Sequence, residues 1–402
     1  MVERRVVHVV ARLGSGGPTT SLLYEGRWAA RHRPDWTYEL LVLEPGGSQA
    51  AVLRALQDRI RVHAAPDGER EAQILGAADV VVLHYWNTPS MWRFLSRSHG
   101  TAWRWILYCH VNGGRPPQLL PDWLARAPSH LVLTSPHART LRDDGQVSVV
   151  PALVDLETLP NPEPPSRTIV HVGTLTVFKL DARFVDLHSR AVASGASVEV
   201  VGDGGDRERF AALAGPAWTW HGFDPRPWDR LAGAAVFSAP IPRTATSSGE
   251  KTIQEAGLLG IPTVVYRDSP VAHLIHDHHS GLLAGDREEF AAMLTDALPT
   301  REAVRQVGWQ LHDPRKKAAQ LAGLYDEVAE RDPQPMPDAG DLRSWVQWQT
   351  VGSMRPGSDQ PSLERLAAGE PTLVAWQKLA SEGGLAQYLN DFGGSALTLP
   401  ER

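Results

Sequence analysis

The sequence predicts an α/β protein in which two Rossmann-like domains stand in tandem and face a cleft, with an additional helical tail at the C-terminus. Three observations carry this. Short apolar runs alternate with longer segments of helical periodicity, the rhythm of parallel sheets covered on both faces. At 402 residues the chain is long enough for two separate cores. Several apolar runs end in glycines just ahead of a helical segment, and doubly wound sheets bind ligands beyond the carboxyl ends of their strands.

The apolar runs at 5–11, 38–43, 79–84, 104–110, 130–134 and 147–150 read as the strands of a first domain, 1–160. The proline-rich stretch 159–167 (LPNPEPPSR) can hardly be helix or inner strand and reads as the link to a second domain, 161–330. Runs at 168–173, 197–202, 235–240, 262–266 and 281–284 supply its strands, and helices to about 330 are expected to close it. A second linker, 332–340 (DPQPMPDAG), leads to an extension over 331–402 outside the sheet rhythm. Trp345, Trp348 and Trp376 give this tail more apolar area than a solvated segment would keep, so it is expected to pack back on the body or to form a homo-oligomer contact.

Composition excludes several classes. A formal charge of −6 without a basic tract argues against nucleic acid as a partner. No apolar run is long enough for a transmembrane segment, and the apolar stretch near the N-terminus is too short for a signal peptide. The single cysteine, Cys109, precludes an internal disulfide, reads as a buried small residue and suggests a cytoplasmic address. Only five of the 40 basic residues are lysines, which draws attention to Lys179 and Lys251.

Four segments carry candidate chemistry. After the first strand, Gly14, Gly16 and Gly17 precede Pro18, Thr19 and Thr20, so helix-start amides there could hold a phosphate or form only a turn. The spacing is not that of the dinucleotide fingerprint. Gly173 ends another strand, and Lys179, read as standing just before a helix, suits a pyrophosphate. Gly202 opens a strand–helix turn, GDGG. The fourth segment, SSGEKTIQEAGLLGIPTVVY (247–266), reads as a loop, a helix beginning near Lys251 and Thr252, and a stop at Gly260. Ala245 and Glu250 occupy the positions where a P-loop needs glycines. The small residues Ala256 and Gly257 suggest that something approaches the backbone closely, and the lysine and amides suggest an anion. Glu255, one turn in, could accept two hydroxyls of a vicinal diol or lie on an exposed helix surface.

Taken as an ordered series from Val6 to Asp286, these segments resemble glycosyltransferase family four, whose members are retaining enzymes of the GT-B fold. LTSPHARTL (133–141), VVPALVDLETL (149–159), VGDGGDR (201–207) and QEAGLLGIPTVVYRDSPVAHLIHDHHSGLLA (254–284) carry the likeness alongside the glycine loops. The resemblance implies a nucleoside-diphosphate sugar as donor, UDP-, GDP- or dTDP-linked, with no metal and no further cofactor. It implies ribose binding by Glu255 and diphosphate binding by Lys179, with Lys251 and Thr252 near the phosphates. Ser247, Ser248, Gly249 and Glu250 fall at sugar contacts, while Gly16, Gly17, Thr174 and Gly202 line the donor side. His110, Lys179 and Glu250 take the catalytic positions. Tyr85, Trp86, Asn87, His110 and Asn112 fall where acceptor contacts are made; Trp92, Trp103, Trp105 and Trp123 read mostly as core. Two positions depart from the family: Ser247 replaces the first glutamate of its E-x7-E pair, and Thr174 replaces a frequent arginine. The expected acceptor is a small molecule, as in secondary metabolism. Two alternatives stand beside the transferase: an auxiliary GT-B-like subunit without turnover, motivated by Ser247, and a nucleotide-sugar epimerase.

Overall fold

The computed structural model describes residues 4–340, apart from 15, 45–48, 59, 87, 116–117, 178 and 246. The tail 341–402, with its three tryptophans, and Asn87 lie outside the described residues.

The first half of the chain builds a seven-stranded parallel sheet. Its strands are β1 (Arg4–Val10), β2 (Trp36–Val42), β3 (Arg61–Ala64), β4 (Val80–Tyr85), β5 (Trp105–Cys109), β6 (His130–Leu133) and β7 (Val147–Val149), in the spatial order β7-β6-β5-β4-β1-β2-β3. A second, six-stranded parallel sheet follows, with β8 (Thr168–Val172), β9 (Ser197–Val201), β10 (Trp218–Gly222), β11 (Val236–Ala239), β12 (Thr263–Tyr266) and β13 (Gly281–Ala284) in the order β10-β9-β8-β11-β12-β13. Both orders reverse direction once, between β1 and β4 and between β8 and β11, and such reversals open the crevices in which doubly wound sheets bind ligands. The inner strands are continuous runs of buried, β-branched residues, which is why the sequence announces them. The sequence reading lacks β3 and β10. Both are edge strands with one neighbour, so their apolar signal is diluted: Arg61 is exposed and Trp218 and Trp220 only half-buried.

Four helices fix the site. α1 (Gly17–His32) starts with Pro18 in its first turn, where a missing N–H costs nothing, and buries Leu22, Leu23 and Ala29. α2 (Lys251–Leu259) ends at Gly260, whose φ of 80° makes a left-handed cap. α3 (Arg301–His312) is capped by Thr300, whose hydroxyl accepts from the Ala303 amide. α4 (Pro314–Ala329) is capped by Asp313.

α4 departs from the expectation that helices to about 330 close the second unit. Its stripe of Ala318, Leu321, Leu324, Tyr325 and Val328 is buried with Val6, Val80, Val82, Ile106 and Val132 of the first sheet. The stretch 332–340, read as a linker, also packs there. Gln334–Pro335 pairs antiparallel with Ala102–Trp103, and Met336 and Ala339 enter the first core.

The small residues of α2 have a different cause from the one expected. What approaches Gly257 is α3: a Cβ on Gly308 would stand 2.2 Å from the Gly257 carbonyl oxygen, and one on Gly257 would stand 3.3 Å from the His312 ring. The two helices touch through bare backbone. Gly308→Ala should therefore force α3 off α2 and cost about 1–3 kcal/mol, read as a lowered midpoint in chemical denaturation with an unchanged slope. A midpoint equal to that of the unaltered protein would show that the contact yields freely.

Candidate functional site

The crevices of the two sheets face one another, and the loops after β1, β4, β5, β8 and β11 meet between them. Ser248 donates its hydroxyl to the His110 carbonyl at 2.7 Å and accepts from the Thr134 hydroxyl at 2.7 Å. Asn112 donates its side-chain amide to the Ala245 carbonyl at 2.8 Å. A Cβ on Gly249 would come within 3.0 Å of Thr134. Ser248, Gly249 and Asn112, expected at donor and acceptor contacts, thus join the two halves of the chain in this arrangement.

Two lysine–glutamate pairs flank the start of α2. Lys179 Nζ donates to Glu250 Oε2 at 2.9 Å, with both side chains largely buried. Burial pushes the Glu250 carboxyl up, but the charge and hydrogen bond of Lys179 outweigh it, aided by the Ser247 hydroxyl, and the carboxyl lies below its ordinary range. Lys251 Nζ stands 2.9 Å from Glu255 Oε1, a charge contact short of good hydrogen-bond alignment, and donates to Thr20 Oγ1 at 2.9 Å. Glu255 is only 1% exposed, so it is not a surface carboxylate. It is a buried anion reached through the head of Lys251, which in turn touches the first turn of α1. Thr252 is half-buried on the same helix.

The remaining donor-side positions fall as follows. Gly16 caps α1 without a side chain and Gly17 is its first residue, against the Lys251 stem. Gly202, with φ of 138°, lies so near the Gly173 carbonyl that a Cβ would sit 1.9 Å from its oxygen; glycine is required there by loop packing, whatever binds nearby. Thr174 is exposed. Lys179 stands in a turn, not before a helix: a 3-10 turn at Asp186–His188 and a short helix at Ser189–Ala193 come later.

On the first sheet, His110 is half-buried at the end of β5. Trp86 stacks flat on its ring at 4.3 Å, and His110 Nε2 is 2.7 Å from His84 Nδ1. Tyr85 is fully buried and donates its hydroxyl to the Leu119 carbonyl at 2.8 Å. Cys109 is buried, and burial pushes its thiol up to about 12, far from a nucleophile's range. Trp92 and Trp105 are core, and Trp103 and Trp123 pack against it.

The sequence reading missed two buried groups at the site. His171 on β8 donates its Nδ1–H to the Ser238 carbonyl at 2.8 Å, while its Nε2 lacks a partner beside Lys179 and Glu250. A Cβ on Gly173 would stand 3.4 Å from His171 Nε2 and 3.5 Å from Lys179 Nζ, so this glycine lies directly against both groups. Burial holds His171 down at about 4, hence neutral. Lys317 of α4 donates to the Gln254 side chain on α2, and burial pushes it down to about 7. Neither had a sequence signal beyond position: His171 sits inside an apolar strand, and Lys317 in an ordinary helical run. A wide groove of about 520 Å³ containing Glu163, Glu199, Asp224 and Arg230 begins beside Thr168, at the amino side of the second sheet and away from this site.

No sequence-family profile matches the chain, and no curated protein matches it in sequence. Solved structures do match in fold. HepE of Anabaena, in complex with UDP and glucose, is 16% identical with a TM-score of 0.61, over 81% of this chain and 100% of HepE. AviGT4, a glycosyltransferase involved in avilamycin A biosynthesis, is 18% identical with a TM-score of 0.59, over 82% of this chain and 99% of its own. Sucrose-phosphate synthase of Thermosynechococcus elongatus is 15% identical with a TM-score of 0.59, over 81% and 99%. The chain has the GT-B fold. Among the described residues no helix is long and apolar enough to cross a membrane.

The pairing of Lys179 with Glu250 has a measurable signature. Lys179→Met strands a buried carboxylate and should destabilise the protein by about 1–3 kcal/mol, most of which the double variant Lys179→Met/Glu250→Gln should recover. Because Glu250 titrates below its usual range, the pair's contribution is present at neutral pH and vanishes as the pH falls through that lowered value. Additive losses in the double variant would mean that the two groups are not coupled.

Proposed function

We propose that the protein is a glycosyltransferase that uses a nucleoside-diphosphate sugar. The observation that carries this reading is the pair of lysines at the start of α2, each seated on a buried glutamate, at the switch points of two facing sheets. A diphosphate entering there meets both ammonium groups and the free amides of α2, and a ribose diol can take the oxygens of Glu255 that Lys251 now covers. The fold adds support, since HepE has that fold and is known in complex with UDP and with UDP-glucose.

In this reading the donor lies on the second sheet and the acceptor, a small molecule such as a secondary metabolite, on the first, near Trp86 and His110. Lys179, Lys251 and helix amides carry the leaving-group charge without a metal or further cofactor, and the sugar keeps its anomeric configuration, as the family resemblance implies. Lys179 and Ser247 keep Glu250 ionised and in place. The protein works in the cytoplasm. A second reading, a binding subunit without turnover, is favoured by Ser248 and Asn112: both are spent on contacts between the halves. Consumption of donor only when acceptor is added separates the two, and consumption without acceptor marks an epimerase.

A thermal-shift panel of UDP, GDP and dTDP should raise the midpoint with at least one nucleotide. With that nucleotide, Glu255→Gln should lose about 1–3 kcal/mol of binding energy by calorimetry; equal affinity would remove Glu255 from the ribose. At saturating donor, Lys179→Ala and Lys251→Ala should each slow turnover more than they weaken binding, because leaving-group charge grows in the transition state. Near wild-type rates in both would assign that charge elsewhere.

A further inference from the structure

Behind His110 runs a line of buried titratable groups that the donor and acceptor contacts do not use. His110 Nε2 is 2.7 Å from His84 Nδ1, and His84 Nε2 is 2.9 Å from His8 Nδ1. His8 Nε2 is fully buried, has no hydrogen-bond partner and stands 4.0 Å from Glu25 Oε1. The line crosses the first sheet through adjacent strands, β5, β4 and β1, and ends on α1. His110 Nδ1 has no hydrogen bond among the described residues, and the ring is partly exposed at the cleft.

The groups around Glu25 come from every element packed on it: His8 from β1, Tyr38 from β2, Tyr108 from β5 and Tyr325 from α4. Tyr325 donates to Glu25 Oε1 at 2.6 Å, and the Tyr38 hydroxyl, which also favours the carboxylate, lies 3.4 Å from His8 Nδ1. Among the described residues no lysine or arginine pairs with it. Burial therefore raises the Glu25 carboxyl to about 7, against the lowering effect of the two tyrosines. Burial pushes the histidines the other way, with His84 down at about 3 and His8 and His110 also lowered. A proton cannot rest on these rings as imidazolium, but it can rest on Glu25.

We propose that His110, His84, His8 and Glu25 form a proton relay that takes up a proton at His110 Nδ1 and stores it on the Glu25 carboxylate. With Glu25 ionised, each ring carries its proton on Nε2: His8 points to Glu25, His84 donates to His8 and His110 donates to His84. A proton arriving at His110 Nδ1 displaces the Nε2 proton onto His84 Nδ1. The Nε2 proton of His84 then moves to His8 Nδ1, and that of His8 moves to Glu25. One proton enters, every ring stays neutral, and the last step closes a gap about 1 Å longer than a hydrogen bond. The outcome reverses the outer face of His110: Nδ1 is an acceptor when Glu25 is ionised and a donor when it is protonated. His84, His8 and Glu25 are positioning residues that act through His110. The relay is independent of what the cleft binds; only its use in turnover rests on the transferase reading.

Nitrogen-15 spectra of histidine-labelled full-length protein test this directly. Between about pH 5.5 and about pH 8.5 the three rings should change together from the Nδ1–H to the Nε2–H tautomer, without passing through the doubly protonated form. The midpoint should lie at about 7, the value of Glu25. Glu25→Gln should hold one tautomer at every pH. Tyr325→Phe removes a hydrogen bond that favours the carboxylate and should move the midpoint to higher pH, which keeps the test available if Glu25→Gln does not fold. Rings that keep one tautomer across this range in the unaltered protein, or that switch alike in Glu25→Gln, overturn the relay. Failure of all three nucleotides to bind, with the tautomer switch intact, overturns the transferase reading and leaves the relay standing.

Discussion

The arrangement of the cleft depends on one contact, the backbone-to-backbone seating of α2 on α3 at Gly257 and Gly308. α2 is nine residues long and carries Lys251, Gln254 and Glu255 on one short rod. Its position is hard to adjust by side-chain repacking at this point, because the Gly308 backbone lies directly on the Gly257 backbone and the His312 ring closes the contact beside it. The left-handed cap at Gly260 then turns the chain directly into β12. Lys317, reaching Gln254 from α4, adds a tie from the helix that covers the first sheet. α2 is thus tied at Gln254, at Gly257 and at its Gly260 end, and the residues on it inherit that rigidity.

The electrostatics of the site follow from burial. Glu250 and Glu255 are carboxylates withdrawn from water, and each is compensated by one lysine. As long as both pairs stand, the start of α2 presents almost no net charge, although it holds two ammonium groups. An anion gains there only what remains after the lysines loosen from their glutamates, and a hydroxylated partner for the freed carboxylate lowers that cost. Charge recognition and hydroxyl recognition are therefore linked through the same ion pairs.

Much of the fold was legible in the sequence because inner parallel strands are unbroken apolar runs; β1, β4 and β8 illustrate this. Edge strands β3 and β10 were not, since exposed or half-buried residues such as Arg61 and Trp220 blur the pattern. Lys179, Lys251 and Glu255 were found from strand ends and glycine turns. The pairing of Lys179 with Glu250 was hidden, because the two are 71 positions apart and only the sheet order brings them together. Ala256 and Gly257 were misassigned to a ligand because a tight helix contact and a tight ligand contact ask for the same small residues. His8 and His84 were invisible for the opposite reason: each sits inside an apolar strand where one polar residue leaves no periodic trace. Asn87 and the tail lie outside the described residues.

The return of α4 and of residues 334–339 to the first sheet also sets an order of assembly. The second sheet's core draws on a contiguous stretch, from Leu159 to Leu298. The first core draws on both ends of that stretch, from Val6 to Leu153 and again from Ala318 to Val328. During synthesis the later half can complete its burial while the earlier half still lacks one wall, and the earliest strands must wait for the ribosome to release α4. Until then Val80, Val82 and Ile106 lack the cover of Leu321, Tyr325 and Val328 on that face, which makes the interval before α4 docks the stage at which the nascent chain is most prone to aggregate or to need a chaperone.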